Sequence, residues 1–530
     1  MRFLFSEQVR AWDRCAMAER GIPGLTLMNR AGAAVARVAA RLAAVRGEWR
    51  VLLVAGRGNN GGDAFAAARC LHEDGLRVAV HMTCAPEILR GDARAAWAQM
   101  QQAGVAFHVR ADEQAWQAAG EAALPRSGVI VDGLLGTGSE GAPRGVVAAA
   151  IRWIEQARRG CVVVAIDLPS GLNADSGEPA DPVVRADVTV CLAAPKCGFA
   201  SPQALEFLGH VEVMDIGLPA DLLPATDPGQ PSPEAAPLRS IGAPVLAHLL
   251  PPRRRDAHKG SFGQVLVIGG SHGLGGAPAL AAMGAIRAGA GLVSAAVPQD
   301  SLAILAALAP AAMAHRIALR QGAMTPATLA AGIRAPSGFD VVLAGPGMSP
   351  GAGTARIVDD LLQGPARRLV LDADALNVLA GCAERLRRTA NAPSVIITPH
   401  PGEAARLLGL AVAAVQADRV QAARLLAARS GAVVVLKGAG TLVVSPEGAV
   451  HLNLTGNPGM ATGGAGDVLG GMIAGLWAQG LAPLDAARLA VYLHGTAGDL
   501  AAWQAGEPSL AAEDLGRALG PAFRWLESMS

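Results

Sequence analysis

Asn457-Pro-Gly-Met-Ala-Thr-Gly-Gly-Ala-Gly-Asp-Val-Leu469 decides how the second half of this 530-residue chain is read. Gly463, Gly464 and Gly466 leave a backbone free to curl its N–H groups toward an anion, and the apolar run 468–476 predicts the helix that follows. Asp467 then stands at a helix N-terminus beside that anion site. There the dipole keeps a carboxylate ionised and able to take a proton from a hydroxyl attacking a phosphoryl group. The competing reading is a glycine-rich loop with Asp467 as an ordinary helix cap.

Outward from this stretch, the runs 264–268, 340–344, 369–371, 395–398 and 433–436 predict buried strands, each leading into a polar or glycine-rich turn. Gly269-Gly-Ser-His-Gly273 fits the G-x-S-x-G of a hydrolase elbow. The loop continues glycine-rich to Gly276, however, which favours a nucleotide-binding turn over one sharp elbow. His400, flanked by Pro399 and Pro401, is held on a rigid strand-end loop and reads as a ligand contact in preference to a structural histidine. Lys437, followed by Gly438 and Gly440, suits a phosphate. No G-x-x-x-x-G-K-[ST] occurs, which excludes the P-loop kinases.

In the first half, residues 4–43 carry apolar residues at helical spacing, broken at Gly21-Ile-Pro-Gly24, and predict two helices. The strand 50–55 ends in Gly56-Arg-Gly-Asn-Asn-Gly-Gly-Asp63, ahead of a helix expected over 64–73. Gly56, Gly58 and Gly61 fit G-x-G-x-x-G, but Val80-His-Met82 stands where a ribose-binding acid would, so an ordinary dinucleotide fingerprint is a weak reading. Strands over 128–132 and 161–166 run into Gly133-Leu-Leu-Gly-Thr-Gly-Ser-Glu-Gly141 and Asp167-Leu-Pro-Ser-Gly171. Three such turns gather Asn, Asp and Ser oxygens at one edge of a parallel sheet, a place for a monovalent cation or a ribose. Each turn alone reads equally as Asp or Ser satisfying a loop backbone. Strands over 187–192 and 210–214 complete the sheet, and Lys196 between them is either a phosphate contact or a solvated loop lysine.

Length points to two large domains. Lys plus Arg, 45, nearly balances Asp plus Glu, 44, so no basic field announces nucleic acid or an anionic membrane, and a small-molecule substrate is expected. Seven scattered cysteines without a C-x-x-C pair read as core thiols of a reducing compartment. The N-terminus turns polar too soon for a signal peptide and no run approaches 18 apolar residues, so a cytoplasmic protein is expected. Pro224, Pro228, Pro231, Pro233, Pro237 and Pro244 mark a connector. The expected division is 1–222, a linker over 223–240, and 241–530.

Two resemblances follow from these motifs. Residues 21–28, 56–63, 131–138 and 167–171 resemble the NAD(P)H-hydrate epimerase family, whose fold is Rossmann-like, with helices on both faces of the sheet. The resemblance implies K⁺ on Asn60, Asp132 and Ser170. It also implies a hydrated-nucleotide site over Asn59, Asn60, Gly61, Gly62 and Asp63, over Gly136, Thr137, Gly138, Ser139, Glu140, Gly141 and Ala142, and at a catalytic Asp167. Ala64 departs from the glycine usual after the aspartate. His-Lys-Gly (258–260), Gly-Gly-Ala-Pro (275–278), Gly-Pro-Gly (345–347), Asp-Ala-Asp-Ala-Leu-Asn (372–377), Thr-Pro-His-Pro-Gly-Glu (398–403), Lys-Gly-Ala-Gly-Thr (437–441) and Gly-Gly-Ala-Gly-Asp (463–467) stand in order. Together they resemble the ribokinase-like ADP-dependent NAD(P)H-hydrate dehydratases. That resemblance implies nucleotide phosphates on Lys437, Gly438, Ala439, Gly440, Thr441 and Gly466, with Ala277, Gly347, His400 and a catalytic Asp467 lining the hydrated-nicotinamide site.

The implied protein is an α/β bifunctional repair enzyme acting on hydrated NADH or NADPH, with ADP and Mg²⁺ at the second site and a homo-oligomeric assembly. The alternative is a sugar- or hydroxymethylpyrimidine-type kinase fused to a nucleotide-binding domain. A non-catalytic nucleotide sensor is a third reading, against which Asp167 and Asp467 both count.

Overall fold

The structure, a computed structural model, describes residues 1–119, 128–139, 141–223, 238–333, 335–364, 368–387 and 394–529. It divides into two compact units, the first essentially residues 1–231 and the second essentially 232–528. Most of the proline-rich connector, 224–237, lies outside the described residues.

The first unit is built on a seven-stranded parallel sheet. Its strands are β1 (Arg50–Ala55), β2 (Arg77–Met82), β3 (Ala106–Val109), β4 (Val129–Gly133), β5 (Val162–Ile166), β6 (Val188–Leu192) and β7 (His210–Met214), in spatial order β3-β2-β1-β4-β5-β6-β7. β4 and β5 are buried along their whole length, the mark of strands covered on both faces. The chain moves outward from β1 to β3 and then returns to the other side of β1 with β4. The β1/β4 junction is therefore the topological switch point, where α/β sheets bind ligands at the strands' carboxyl ends.

The predicted helix pair is present as Ser6–Arg20 and Gly24–Arg46. The next helix starts earlier than expected, at Asn59, so Asn59, Asn60 and Asp63 belong to its first turns. Gly61 and Gly62 lie inside this helix, and crowding accounts for the missing side chains: a Cβ on Gly61 would strike the Gly56 carbonyl, and one on Gly62 would stand 2.5 Å from the Met28 sulfur. Ala64 fits without strain. It is fully buried, and Gly133, across from it on β4, has no Cβ to meet its methyl.

The second unit carries a ten-stranded sheet: β8 (Arg239–Ser240), β9 (Gln264–Ile268), β10 (Leu292–Pro298), β11 (Met313–Ile317), β12 (Val341–Ala344), β13 (Arg368–Leu371), β14 (Ser394–Ile397), β15 (Val433–Leu436), β16 (Leu442–Val444) and β17 (Val450–Leu452). Its order is β11-β10-β9-β12-β13-β14-β15-β16-β17-β8, parallel from β11 through β15. The β15–β16–β17 ladder is antiparallel. Residues 239–240, which composition assigns to the linker, pair with β17 instead. The sheet thus has a parallel core and an antiparallel β15–β16–β17 ladder toward one margin.

The helix Ala465–Ala478 is buried from Val468 to Ala478. It packs on Gly276–Arg287 at backbone distance, because a Cβ on Gly471 would strike the Ala281 carbonyl and one on Gly284 the Val468 carbonyl. Small residues thus fix where its N-terminus points. All seven cysteines are free thiols, but only Cys84, Cys161 and Cys191 are buried and Cys382 is exposed, so the expectation of seven core thiols fails. Among the described residues no helix is long and apolar enough to cross a membrane.

Candidate active sites

In the first unit, β1, β4 and β5 are sheet neighbours, so the three oxygen-rich turns that follow them meet. Beside them opens a cavity of ≈ 980 Å³. Asn59, Asn60 and Asp63 line it from the first turn after β1, Gly136, Thr137, Gly138, Ser139, Gly141 and Ala142 from the β4 loop, and Asp167 from the end of β5. Gly61 and Gly62 lie in the same helical turn, and Glu140 lies outside the described residues.

Asp167 has a left-handed backbone, φ 67°, a strained state for a residue with a Cβ and one that recurs at functional sites. Lys196 is fully buried, forms an ion pair with Asp167 Oδ1 and donates to the carbonyls of Ala194 (3.1 Å) and Leu192 (3.2 Å). It is neither a phosphate contact nor a solvated loop lysine. Burial opposes its charge, yet the adjoining Asp167 outweighs that and holds the ammonium above its usual pKa. The Leu192 amide also donates to Asp167 Oδ1, at 3.1 Å.

Two further carboxyls share this space. Asp63 is pushed well above the usual range by burial, then by Asp167 and Asp13. Asp13, on the helix Ser6–Arg20, lines the cavity and is raised to about 6 by burial and by Asp167. Sequence reasoning missed Asp13, since a lone acid on an amphipathic helix reads as part of its solvated face.

Asp132 and Ser170 lie immediately behind the cavity wall, both buried. Ser170 Oγ donates to Asp132 Oδ1 (2.7 Å) and its amide to Oδ2 (2.8 Å), while Asn60 Nδ2 donates to the Leu135 carbonyl (2.8 Å). The Leu135 amide in turn donates to Ser170 Oγ at 2.9 Å, which ties the three residues around one turn. Burial raises Asp132 to about 6 against these hydrogen bonds.

In the second unit the switch point lies between β9 and β12. Gly270 N–H donates to the Pro346 carbonyl across it at 2.8 Å. Gly347, φ 64°, approaches Ala277 so closely that a Cβ on it would lie 3.3 Å from the Ala277 methyl, so these two predicted contacts do meet. Ser271 is buried and shares a hydrogen bond with Ser349 Oγ (2.8 Å), an arrangement unlike a hydrolase elbow.

Asp467 occupies the first turn of Ala465–Ala478, behind Gly464 at φ 94°. In that turn the Ala465 amide donates to the Thr462 carbonyl (3.4 Å), whereas the Gly466 and Asp467 amides precede the helical hydrogen-bond ladder and face an anion site. Burial, then Asp372, raises Asp467 to about 7, against the pull of Lys437. Lys437 Nζ pairs with Asp372 Oδ1 at 2.7 Å and stands 3.9 Å from Glu403 Oε2, so in this structure it neutralises acids and presents its ammonium 3.3 Å from where a Gly466 Cβ would be. Gly466 leaves that approach open.

His400 caps the helix Pro401–Leu408, its Nδ1 accepting from the Gly402 amide at 3.0 Å. The ring is half-exposed, and burial and Lys437 depress its pKa. A neutral His400 with Nδ1 engaged carries its proton on Nε2, which stands 3.4 Å from Glu403 Oε1. The loop 437–441 joins β15 to β16. Arg419 Nη2, unforeseen from sequence, donates to the carbonyls of Lys437 (3.3 Å) and Gly440 (3.3 Å), bracing the predicted phosphate loop.

Two α/β units, each with polar strand-end loops at a switch point and carboxyls paired with a lysine, define a two-site enzyme for nucleotide-like small molecules. The family model described as NAD(P)H-hydrate dehydratase matches residues 265–520, and that described as YjeF-related protein N-terminus matches 24–198. The bifunctional NAD(P)H-hydrate repair enzyme Nnr of Moorella thermoacetica is 42% identical over 95% of this chain and 93% of its own. The Escherichia coli protein of that name is 34% identical over 96% and 92%. A crystal structure of the ADP/ATP-dependent NAD(P)H-hydrate dehydratase from Bacillus subtilis, co-crystallised with ATP/Mg²⁺, is 30% identical over 55% of this chain and 99% of that one, with a TM-score of 0.48. The chain belongs to the bifunctional NAD(P)H-hydrate repair enzyme family.

Proposed function

We propose that residues 1–222 interconvert the R and S epimers of hydrated NADH and NADPH, and that residues 241–530 dehydrate the S epimer with ADP, releasing AMP and phosphate. The observation that carries this reading is Asp467, a carboxyl poised at about 7 on a helix N-terminus. The substrate's C6 hydroxide is a poor leaving group and phosphate a good one. The hydroxyl oxygen attacks the terminal phosphorus of ADP while Asp467 takes its proton and the bond to AMP breaks. The open amides at Gly466 and the Lys437 ammonium receive charge on the transferred group. The carbon–oxygen bond then breaks as the ring nitrogen's electron pair moves in, and loss of a C5 proton gives NAD(P)H. His400, Ala277 and Gly347 are the proposed walls for the nicotinamide ring.

Mg²⁺ suits this site, because Asp372, Glu403 and Asp467 exceed the charge of Lys437 and the bound phosphates add more. When bound it neutralises phosphate charge. K⁺ suits the Asn60, Asp132 and Ser170 cluster: Asp132 is wholly buried, and its hydrogen-bond partners there are uncharged. When bound, K⁺ supplies the compensating charge and ties the three loops together. The free thiols accord with a cytoplasmic location.

The test is to incubate the protein with an R/S mixture of hydrated NADH and ADP and to follow the reduced-nicotinamide absorbance. Full recovery supports both activities, and recovery stopping at the S fraction removes the epimerase beyond spontaneous exchange. No recovery, with phosphorylation of a sugar or vitamin alcohol instead, overturns the reading in favour of a kinase.

A further inference from the structure

We propose that Asp13 is a second catalytic carboxyl of the first site, acting with Asp167 on the two faces of the reacting carbon. This rests on the epimerase reading above. Epimerisation at C6 needs two groups, since hydroxide must leave from one face and water return to the other. Asp167 comes from the end of β5 and Asp13 from the helix Ser6–Arg20, so the same cavity receives a carboxyl from two different walls.

On that helix Val9, Asp13 and Met17 at i, i+4 and i+8, with Arg10 and Arg14 beside them, form the face that lines the cavity. Asp13 is the acid on that face. Asp167 differs in being tied to Lys196, with both its bonds falling on Oδ1. Asp63 is buried in the first turns of the helix Asn59–Glu73, where burial, then Asp167 and Asp13, push its carboxyl well above the usual range. Asp13, raised to about 6, gains and loses its proton near neutrality, as an acid–base catalyst must.

The step balances. Protonated Asp13 donates to the departing C6 hydroxyl, the carbon–oxygen bond breaks to water, and the ring nitrogen's pair forms the C=N⁺ bond. Water then adds to the opposite face, giving its proton to Asp167. The reverse epimerisation uses the same groups with exchanged roles, and solvent restores the proton. The charged groups facing Asp13 are Asp167 and Lys196 from the sheet edge, Asp63 from its helix and Arg14 from Asp13's own; Arg10, Arg57, Asp92 and Arg144 also line the cavity.

The experiment uses the full chain, purified S-hydrate of NADH without ADP, and chromatographic R/S exchange corrected for the uncatalysed rate, from pH 5 to 9. Asp13→Asn is expected to lose ~10²- to 10⁴-fold in exchange and the wild-type pH dependence near 6, with Asp13→Glu restoring part of both. Binding of NADPH should be unchanged, and the melting temperature should be no lower than that of the wild type, since removing a carboxyl of raised pKa does not destabilise the fold. Exchange by Asp13→Asn at the wild-type rate, an unaltered pH profile, or loss of NADPH binding in proportion to rate overturns the catalytic role. Absence of exchange in the wild-type protein overturns the epimerase reading itself, so the two failures are distinct.

Discussion

Asp467→Asn should make the second unit more stable and inactive at once. The carboxyl sits at about 7 against an ordinary 3.8, a difference of ~3 units, or ~4 kcal/mol at most at 1.36 kcal/mol per unit. Its mouth is open to solvent and Lys437 is close, so ~1–2 kcal/mol is the working figure. A raised folded-state pKa means that the folded protein holds the proton more tightly than the unfolded chain. The wild type therefore loses stability as pH rises from about 4 to about 7, and above that the penalty is constant. Asn carries no charge and escapes this loss, so the variant's advantage should be absent at pH 4 and complete above 7. It should appear as a rise of ~2–6 °C in the melting temperature of a unit this size. Over the same range wild-type dehydration should rise with pH through about 7, as the base ionises, and the variant should show ~10²- to 10⁴-fold less activity. The measurements are differential scanning calorimetry across pH and NADH recovery from pure S-hydrate with ADP. Near-normal dehydration, or a melting temperature that falls at pH 8, would refute the argument and leave Asp467 as a first-turn acid with no part in the chemistry.

Lys196→Met should leave the Asp167 carboxylate buried beside Asp13 and Asp63 without its cation, costing ~3–5 kcal/mol and abolishing R/S exchange; a calorimetric transition for the first unit at the wild-type temperature would contradict this. Asp132→Asn keeps the side chain's size but donates where a carboxylate accepts, so the dependence of exchange on K⁺ should weaken; equal rates for the wild type in potassium and in choline would remove the ion from the site. Gly466→Ala should lower dehydration and leave exchange alone, because its methyl would stand 3.3 Å from Lys437 Nζ; unchanged ADP-dependent turnover would show that the approach is not used. Chains 1–223 and 238–530 expressed separately should each melt cooperatively, and aggregation of both would show that the two compact units are not folding units.

What could be read from sequence follows from the geometry of parallel sheets. Parallel strands bring all their carboxyl-end loops to one side, so the turns after residues 55, 133 and 166 could be grouped before their order in the sheet was known. The same holds for the loops carrying Gly347, Asp372, His400 and Lys437. What could not be read depends on contacts distant in sequence. Gly61 and Gly62 read as loop glycines because a glycine chosen for a turn and one chosen for close approach look alike; here the Gly56 carbonyl and Met28 demand the absence of a Cβ inside a helix. Lys196 read as either a phosphate contact or a solvated loop lysine because its partner is 29 residues away and only the fold buries the pair.

The two sites converge on one electrostatic device although their sheets differ. In each, a lysine is neutralised by one carboxylate, Lys196 by Asp167 and Lys437 by Asp372, and at least one further carboxyl is raised, first by burial and then by the neighbouring acids. That surplus acid is Asp13 with Asp63 in the first unit and Asp467 in the second. Both reactions act on the same C6 hydroxyl, and both must move its proton. The difference lies in symmetry. Epimerisation must run from either face, so it requires carboxyls from two walls that can exchange roles. Dehydration runs one way, because phosphoryl transfer makes the departure irreversible in practice. It therefore needs a single base, set at the end of a helix whose open amides receive the phosphate as the proton leaves.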